Sequence, residues 1–223
     1  KAVLLGGSAS PEALRRDAFA RGIRIHTSYG LSEMATQVTT TSRNPTFEDI
    51  QSAGRPLTNC EIAISAVGEI SVRGPSLFLG YFAPNGSLTR PLTDEGWFMT
   101  GDLGRLDAEG RLHVTGRKDS MFISGGENIH PEEVERALYA IDGVAQAMVV
   151  PVASEEFGMR PVAFVEIDPG VAFDGEGLRA RLAQVLPRYK VPDAIYPWPD
   201  EYGAEGIKPR RRDFERLAAS FAQ

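Results

Sequence analysis

The stretch Lys1-Ala-Val-Leu-Leu-Gly-Gly7 decides the fold, because a short apolar run ends there in two glycines. This pattern predicts a buried strand over residues 2–7 that leads into a turn. The Ser-Pro-Glu sequence that follows predicts a capped helix up to Arg21, with Gly22 as its stop. Residues 23–27 alternate as in a second strand. A strand–helix–strand unit indicates an α/β architecture with its functional turns at the carboxyl ends of the strands.

Beyond this unit, the chain is predicted to form a β-rich subdomain. Residues 39–59 are rich in Thr, Ser, Asn and Pro without a clear period, which indicates a loop. A hairpin turn is expected at Asp107-Ala-Glu-Gly110. The strands expected in this subdomain are 61–65, 69–73, 96–99, 104–107 and 111–115.

The remainder of the chain returns to an α/β pattern after a short polar junction at 116–120. The elements expected here are helices at 130–138, 177–186 and 210–221 and strands at 144–152 and 161–168. The sequence therefore predicts a mixed α/β (α+β) fold in two domains, 1–117 and 118–223.

The composition excludes several classes of protein. Hydrophobic residues make up 42% and charged residues 24%, as in globular proteins and unlike disordered chains. The net charge of −6 argues against a nucleic-acid binder, and no apolar run approaches the roughly 20 residues of a membrane span. The one cysteine, Cys60, excludes an internal disulfide and a multi-cysteine zinc site, and it favours a reducing, cytoplasmic location.

Two polar motifs follow predicted strands in the first half of the chain. In Tyr29-Gly-Leu-Ser-Glu33, the serine can bond a phosphate and Glu33 can hold a divalent cation, but a turn before a capped helix explains the same residues. In Thr100-Gly-Asp102, a carboxylate after a glycine turn can accept both hydroxyls of a ribose. An ordinary β-turn aspartate is the alternative.

Two further motifs lie in the second half. Gly116-Arg-Lys-Asp-Ser120 offers a guanidinium for phosphate or ribose oxygens, and Gly125-Gly126 would let a linear ligand pass close to the backbone. Two hairpin glycines beside surface charges are the alternative. Lys208 can stabilise a reacting carboxylate and phosphate, or belong to a solvated helix start. The sequence contains no Walker phosphate loop, serine-hydrolase elbow or His/Cys metal cluster.

In their order and spacing, these motifs resemble the adenylate-forming superfamily of acyl-CoA synthetases, luciferases and peptide-synthetase adenylation domains. The resemblance extends over essentially the whole chain. It is carried by residues 5–9, 29–33, 68–74 with Gly80-Tyr81, 96–102, 116–128 and Lys208. It implies the C-terminal part of a large domain followed by a small, mobile α/β domain.

The resemblance implies that the first half of the chain contacts ATP and Mg²⁺. The residues that would line the adenine and acyl pocket are Gly7, Ser8, Ala9, Ser28 and Tyr29. Ser32 would touch phosphate, and Glu33 would hold Mg²⁺ for catalysis. Asp102 would bind the ribose hydroxyls, with Arg117 beside it.

For the second half, the resemblance implies transfer of the acyl group to CoA. Ser124, Gly125 and Gly126 would line the channel for the pantetheine arm of CoA. Asp119 would be the hinge about which the small domain turns, and Lys208 would be the catalytic lysine of adenylation.

Within the superfamily, three stretches are most similar to the o-succinylbenzoate–CoA ligases of menaquinone biosynthesis: 122–135, 150–163 and 206–208. The implied reaction joins a small-molecule carboxylate to CoA and converts ATP to AMP and pyrophosphate. Other aryl- or acyl-CoA synthetases and carrier-protein adenylation domains remain alternatives, and a homodimer is left open. Ile207 stands where the superfamily usually has glycine.

The superfamily's Ser/Thr/Gly-rich phosphate loop has no counterpart in this sequence. We therefore expect the chain to be the C-terminal portion of a longer enzyme and inactive by itself. A non-catalytic binding fragment is a further alternative.

Overall fold

The opening of the chain folds into the predicted strand–helix–strand unit. In the computed structural model, which describes residues 1–7, 10–200 and 210–221, its elements are β1 (Ala2–Leu5), α1 (Glu12–Ala20) and β2 (Arg24–Leu31). β1 and β2 are parallel, as expected for strands joined by a crossover helix. Pro11, rather than Ser10, stands at the N-cap of α1. The expected mixed α/β class is confirmed.

The chain divides into two compact units, Lys1–Lys118 and Asp119–Gln223. The remaining strands of the first unit are β3 (Thr36–Thr40), β4 (Arg55–Pro56), β5 (Glu61–Ile64), β6 (Glu69–Arg73), β7 (Tyr81–Phe82), β8 (Leu88–Thr89), β9 (Phe98–Leu106) and β10 (Leu112–Arg117). They form sheets of order β1-β2-β3-β4 and β10-β9-β6-β5, and β7 pairs with β8.

The predicted loop at 39–59 is partly strand, which corrects the sequence-based expectation. β3 pairs antiparallel with β2, and β4 pairs with β3. Buried threonines fix this region, since the Thr27 and Thr39 hydroxyls donate to the carbonyls of Ser52 and Ala53, each at 2.6 Å. Polar side chains satisfied in this way leave no apolar period in the sequence.

β9 is continuous, although two strands were predicted at 96–99 and 104–107. Gly101, with φ +74°, lies inside the strand instead of forming a turn between two strands. The pairing of β9 with β6 and with β10 shifts register in this region, so the glycine is absorbed as an irregularity of the ladder. The hairpin turn at 107–110 is confirmed, since the Gly110 amide donates to the Asp107 carbonyl at 3.0 Å.

Arg111 joins this hairpin to a distant segment of the first unit. Its side chain is 9% exposed and contacts Asp107 and Glu48, each at 2.7 Å, Glu109 at 3.1 Å and Asp49 at 3.4 Å. Desolvation acts to raise the pKa of Asp107, but His113, the Arg111 amide and the Arg111 guanidinium outweigh it and hold this pKa well below its ordinary 3.8. The four carboxylates are therefore bound to one buried cation.

The second unit is built on one five-stranded sheet. Its elements are β11 (Phe122–Ser124), β12 (Glu127–Ile129), α2 (Pro131–Tyr139), β13 (Val144–Ser154), β14 (Gly158–Ile167), α3 (Gly175–Leu182), β15 (Ile195–Pro197) and α4 (Arg211–Phe221). The sheet order is β12-β11-β14-β13, and β15 pairs parallel with residues 163–165 of β14.

Both faces of β14 are buried, which explains its continuous apolar run. Ala163 and Val165 belong to the core that α2 and α3 cover, whereas Val162 and Phe164 belong to the core that α4 covers. α3 begins two residues before the predicted start at 177, because Asp174 caps it by accepting from the Gly177 amide at 2.9 Å. Within the described ranges, no helix is long and apolar enough to cross a membrane.

Candidate functional site

Asp102 lies on β9 and is bonded to Tyr29 of β2, which belongs to the other four-stranded sheet of the first unit. Its carboxylate is 16% exposed. One oxygen accepts from the Tyr29 hydroxyl at 2.6 Å and the other from the Arg117 guanidinium at 3.0 Å. The Asp102 amide donates to the Thr100 hydroxyl at 3.0 Å, which fixes the backbone of the same residue. The structure therefore brings Tyr29, Asp102 and Arg117 into contact.

The three side chains differ in what they offer to a ligand. Burial, and then the bond to Asp102, raise the pKa of Tyr29 far above its ordinary 10.0, so the tyrosine is a permanent donor. Arg117 pairs with Asp102 across β10 and β9, and its side chain is 48% exposed. A carboxylate and a guanidinium at one opening can accept from a diol and donate to its oxygens.

Glu33 lies in a 3₁₀ turn, Ser32–Met34, directly after β2. Its carboxylate accepts from the Tyr81 hydroxyl at 2.6 Å, and this bond is the largest cause that raises the pKa of Tyr81 to about 12. The positive charge of Arg117 opposes the raised pKa of Tyr81 and that of Tyr29, because it favours their ionised forms. Ser32 is exposed beside Glu33.

The backbone around this turn is strained. Ala35 and Thr36 have φ values of 58° and 145°, in the region that side chains rarely adopt. Opposite them, a Cβ at Gly30 would overlap the Thr36 carbonyl. β2 therefore continues through the Tyr29–Leu31 motif only because residue 30 is glycine, which corrects the prediction that a turn follows the strand at this point.

The first loop supplies less of the site. Gly7 lies two residues after β1 with φ +82°, and the Ser28 hydroxyl donates to the Leu5 carbonyl at 3.2 Å, so β1 and β2 are bonded where that loop begins. Ser8 and Ala9 lie outside the described residues.

Gly125 and Gly126 form the turn between β11 and β12 in the second unit. Their φ values, 56° and 87°, are both positive, as in the type I′ turn of a two-residue hairpin. The glycines are exposed, whereas Ser124 is 1% exposed and its hydroxyl lies 3.3 Å from the Arg160 guanidinium. The hairpin interpretation of the glycines is confirmed, and the Ser124 side chain faces the interior of its unit.

Asp119 lies in an exposed turn that begins the second unit, and Lys118 before it is tied to the first. The Lys118 amide donates to the Gly101 carbonyl at 2.8 Å, and its ammonium contacts the buried Glu69 carboxylate at 2.8 Å. Lys208 lies outside the described residues.

Comparison with known proteins gives the family. A sequence model of the AMP-binding enzyme family matches residues 1–82, and a model of the AMP-binding enzyme C-terminal domain matches residues 133–201. The chain belongs to the AMP-binding enzyme family. The resemblance to adenylate-forming enzymes predicted from the ordered motifs is thereby confirmed.

Among individual members of the AMP-binding enzyme family, the similarity is to 2-succinylbenzoate–CoA ligases. The Escherichia coli enzyme is 40% identical, over 95% of this chain and 45% of the relative. A structure of an E. coli MenE variant with bound OSB-AMS has a TM-score of 0.87 at 38% identity, covering 99% of this chain and 46% of that one. MenE from Bacillus subtilis, in complex with ATP and magnesium ion, has a TM-score of 0.75 at 34% identity, covering 88% and 42%. The chain spans about half the length of the curated relatives it matches.

Three residues of this AMP-binding family chain contact the candidate site residues although the sequence assigned them no role. Tyr81 bonds Glu33, Thr100 bonds the Asp102 amide, and Arg160 reaches Ser124. Tyr81 and Thr100 lie inside recognised motifs, which is the signal that could have found them. Arg160 stands in an apolar strand, where a lone arginine is itself informative, since an arginine is almost never fully buried without partners.

The donor set suits a cation that arrives with a nucleotide. Across the part of the chain that the structure describes, no group of three or more His, Cys, Asp or Glu side chains is arranged to hold a metal ion. Glu33 instead offers a single carboxylate. Mg²⁺ commonly binds through one or two carboxylates together with the phosphates of its substrate.

Proposed function

We propose that this chain carries part of an ATP-dependent carboxylate–CoA ligase that acts on 2-succinylbenzoate in menaquinone biosynthesis. The observation that carries the proposal is the bonding of Tyr29 and Arg117 to Asp102, in a chain 40% identical to the E. coli ligase. The substrate is taken from what the relatives are named for. Mg²⁺-ATP, the carboxylate and free CoA would be its small-molecule partners.

The first half of the proposed reaction must bring two anions together. A carboxylate oxygen attacks the α-phosphorus of ATP, the bond to the leaving phosphate breaks, and the products are an acyl-adenylate and pyrophosphate. Asp102 and Arg117 would hold the ribose, and Tyr29 would lie against the adenine side of the same opening. Ser32 would contact phosphate and Glu33 would hold Mg²⁺, with Lys208 offsetting the negative charge that develops during attack.

In the second half, the sulfur of CoA attacks the acyl carbonyl. A C–S bond forms, the bond to AMP breaks, and the thiol proton is released. The exposed Gly125-Gly126 turn would let the thiol arm run along the backbone, and Asp119 would be the hinge between the two halves of the cycle. The contacts of Lys118 with Gly101 and Glu69 support a pivot immediately after this residue. Large conformational steps of this kind are common in enzymes that alternate between two reactions.

The test uses the longest form of the protein that the gene encodes. Pyrophosphate exchange into ATP is measured with 2-succinylbenzoate and with a panel of aryl and aliphatic acids, and thioester formation is measured with CoA and with a carrier protein. We expect 2-succinylbenzoate and free CoA to be preferred. Preference for another acid would change the substrate, and preference for a carrier protein would favour an adenylation domain. No exchange with any acid would favour a binding role.

The role of Asp102 has a matched control within the same unit. Asp102→Asn should lower the affinity for ATP about tenfold to hundredfold, because bonds to a charged acceptor are lost. Glu61→Gln breaks another Arg–carboxylate pair, with Arg73 at 2.6 Å, without touching the opening. It should leave ATP binding unchanged in calorimetry. Equal effects of the two variants would remove Asp102 from the site.

We also propose a cytoplasmic location, because a lone cysteine does not require an oxidising compartment. The sequence leaves a homodimer open, and sedimentation at several protein concentrations would decide between monomer and dimer.

A further inference from the structure

Arg160 connects the Gly125–Gly126 turn to the body of the second unit. Its side chain is 12% exposed. The guanidinium donates to the Ser124 hydroxyl at 3.3 Å and to the carbonyls of Tyr189 and Val191 at 2.8 and 3.2 Å. Asp193 accepts a further bond at 2.7 Å. A planar fork with this many acceptors is held in one orientation.

Phe157 extends this support to the turn. Its ring centre lies 5.5 Å from the guanidinium carbon of Arg160. Its carbonyl accepts from the Gly125 amide at 2.9 Å, and a Cβ at Gly125 would lie 3.1 Å from the ring. Arg160 therefore contacts both the residue that precedes the turn and the residue that packs against it.

We propose that Arg160 is a positioning residue for thioester formation. It holds the Gly125–Gly126 turn in the geometry along which the CoA arm passes, and it takes no part in adenylation. This inference rests on the proposed function. Its physical basis is that an open glycine turn has no side chains of its own to fix its position, so its neighbours must fix it.

The experiment separates the two half-reactions in the longest form of the protein that the gene encodes. Adenylation is followed as pyrophosphate release with ATP and 2-succinylbenzoate, and thioester formation is started from preformed acyl-adenylate and CoA. Arg160→Met should lower thioester formation about tenfold or more while adenylation changes less than about twofold, since small misplacements of substrate-positioning groups have large effects on rate. Arg160→Lys keeps the positive charge but not the planar fork of donors. Its rate of thioester formation should lie between those of the wild type and Arg160→Met.

Arg179→Met is the matched control. Arg179 donates to the Pro192 carbonyl at 3.0 Å and so supports the same 189–193 segment, but it has no bond to Ser124 or Phe157. Both half-reactions should proceed at the wild-type rate in this variant. Equal loss of both half-reactions in Arg160→Met, or a wild-type rate of thioester formation, would overturn the proposal.

Hydrogen exchange of the Gly125 amide gives a readout that does not depend on activity. In the 223-residue chain, we expect faster exchange in Arg160→Met than in the wild type or in Arg179→Met, because the bond to the Phe157 carbonyl opens more often. If the wild-type protein performs neither half-reaction, the proposed function fails. The exchange rates still decide whether Arg160 holds the turn, and unchanged exchange would refute it.

Discussion

The two units use glycine in opposite ways. At Gly30 in the first unit, a neighbouring carbonyl occupies the place of a side chain, so the glycine permits close packing inside a sheet. At Gly126 in the second unit, no atom lies within 4 Å of the Cβ position, and φ is +87°. The first glycine is required by close packing, whereas the second leaves open space where a side chain would stand.

The two units also differ in the charge of their candidate site residues. The first unit carries the Asp102–Arg117 pair and the Glu33 carboxylate, charged groups of the kind that suit a nucleotide and its cation. The turn in the second unit presents two glycines, and the hydroxyl of Ser124 just before them is buried. A neutral thiol arm needs a narrow path more than it needs charge, so the contrast fits the two halves of the proposed reaction.

The largest effect is expected from Gly30→Ala, which tests whether the first glycine is required by packing. Overlap with the Thr36 carbonyl should lower the free energy of unfolding of the first unit by about 3 kcal/mol, as in an overpacked core. Trp97 fluorescence during urea unfolding, in a Trp198→Phe background, reports on this unit alone because the chain has two tryptophans.

Gly86→Ala is the control for the Gly30 variant. Gly86 also lies in the first unit, with φ +81° and no atom within 4 Å of its Cβ position. Only the left-handed backbone is penalised there, by about 1 kcal/mol. Similar losses in the two variants would show that close packing at Gly30 does not matter.

Tyr29→Phe tests whether the charged opening depends on a bond between sheets. The variant keeps the ring but removes the donor to Asp102, so ATP affinity should fall about tenfold, as is typical when a charged acceptor loses a partner. Tyr139→Phe removes a hydroxyl that bonds Ala147 in the second unit and should leave affinity unchanged. Calorimetric titration with ATP compares them, and an unchanged affinity in Tyr29→Phe would contradict the expectation.

Gly125→Ala and Gly126→Ala sharpen the description of the open turn. Each substitution imposes an alanine at positive φ, which should lower the free energy of unfolding of the second unit by about 1 kcal/mol. Gly125→Ala should be the more destabilising, because its Cβ would press on the Phe157 ring. Trp198 fluorescence in a Trp97→Phe background measures the difference. The reverse order would mean that Phe157 yields easily.

The smallest expected effect is that of pH on stability, and its sign is opposite in the two units. The lowered pKa of Asp107 stabilises the first unit above about 3.8, and this contribution is lost as pH falls through the folded-state value. Burial raises the pKa of Glu135 above 4.5, although the Arg211 guanidinium and the Val149 amide oppose it and Glu132 adds to it. Its contribution to the second unit therefore declines as pH rises from 4.5 through the raised value.

Urea unfolding is measured at pH values below 3.8 and above 4.5 and followed separately by Trp97 and Trp198 fluorescence. The free energy of unfolding of each unit is then plotted against pH, and the two slopes are compared. Asp107→Asn should flatten the dependence of the first unit and Glu135→Gln that of the second. A common pH dependence for both units would contradict the assignment.

Local patterns in the sequence predicted the elements that depend on local physics. The opening strand–helix–strand, the hairpin at 107–110 and helix α4 follow from periodicity, caps and turn residues. β3 and β4 were missed because their stability comes from threonine bonds to carbonyls elsewhere in the chain, which leave no period. β9 was predicted as two strands because a glycine inside a strand gives the same sequence pattern as a glycine in a turn.

The candidate site shows the same limit. The ordered motifs named Tyr29, Asp102 and Arg117, and the structure brings them into contact. The bond between Tyr29 and Asp102 spans 73 positions of sequence, and no single-chain pattern encodes such a pairing. The support that Arg160 gives to the Gly125 turn was equally invisible, because it depends on which strands become neighbours.

The cluster around Arg111 constrains how this protein can be recombined with its relatives. The hairpin supplies Asp107, Glu109 and the arginine, but Glu48 and Asp49 come from a segment more than fifty positions earlier. A chimera that imports the hairpin without that segment would bury a cation short of partners, or leave carboxylates facing each other. Exchange points for domain shuffling should therefore keep residues 48–49 and 107–111 from the same parent.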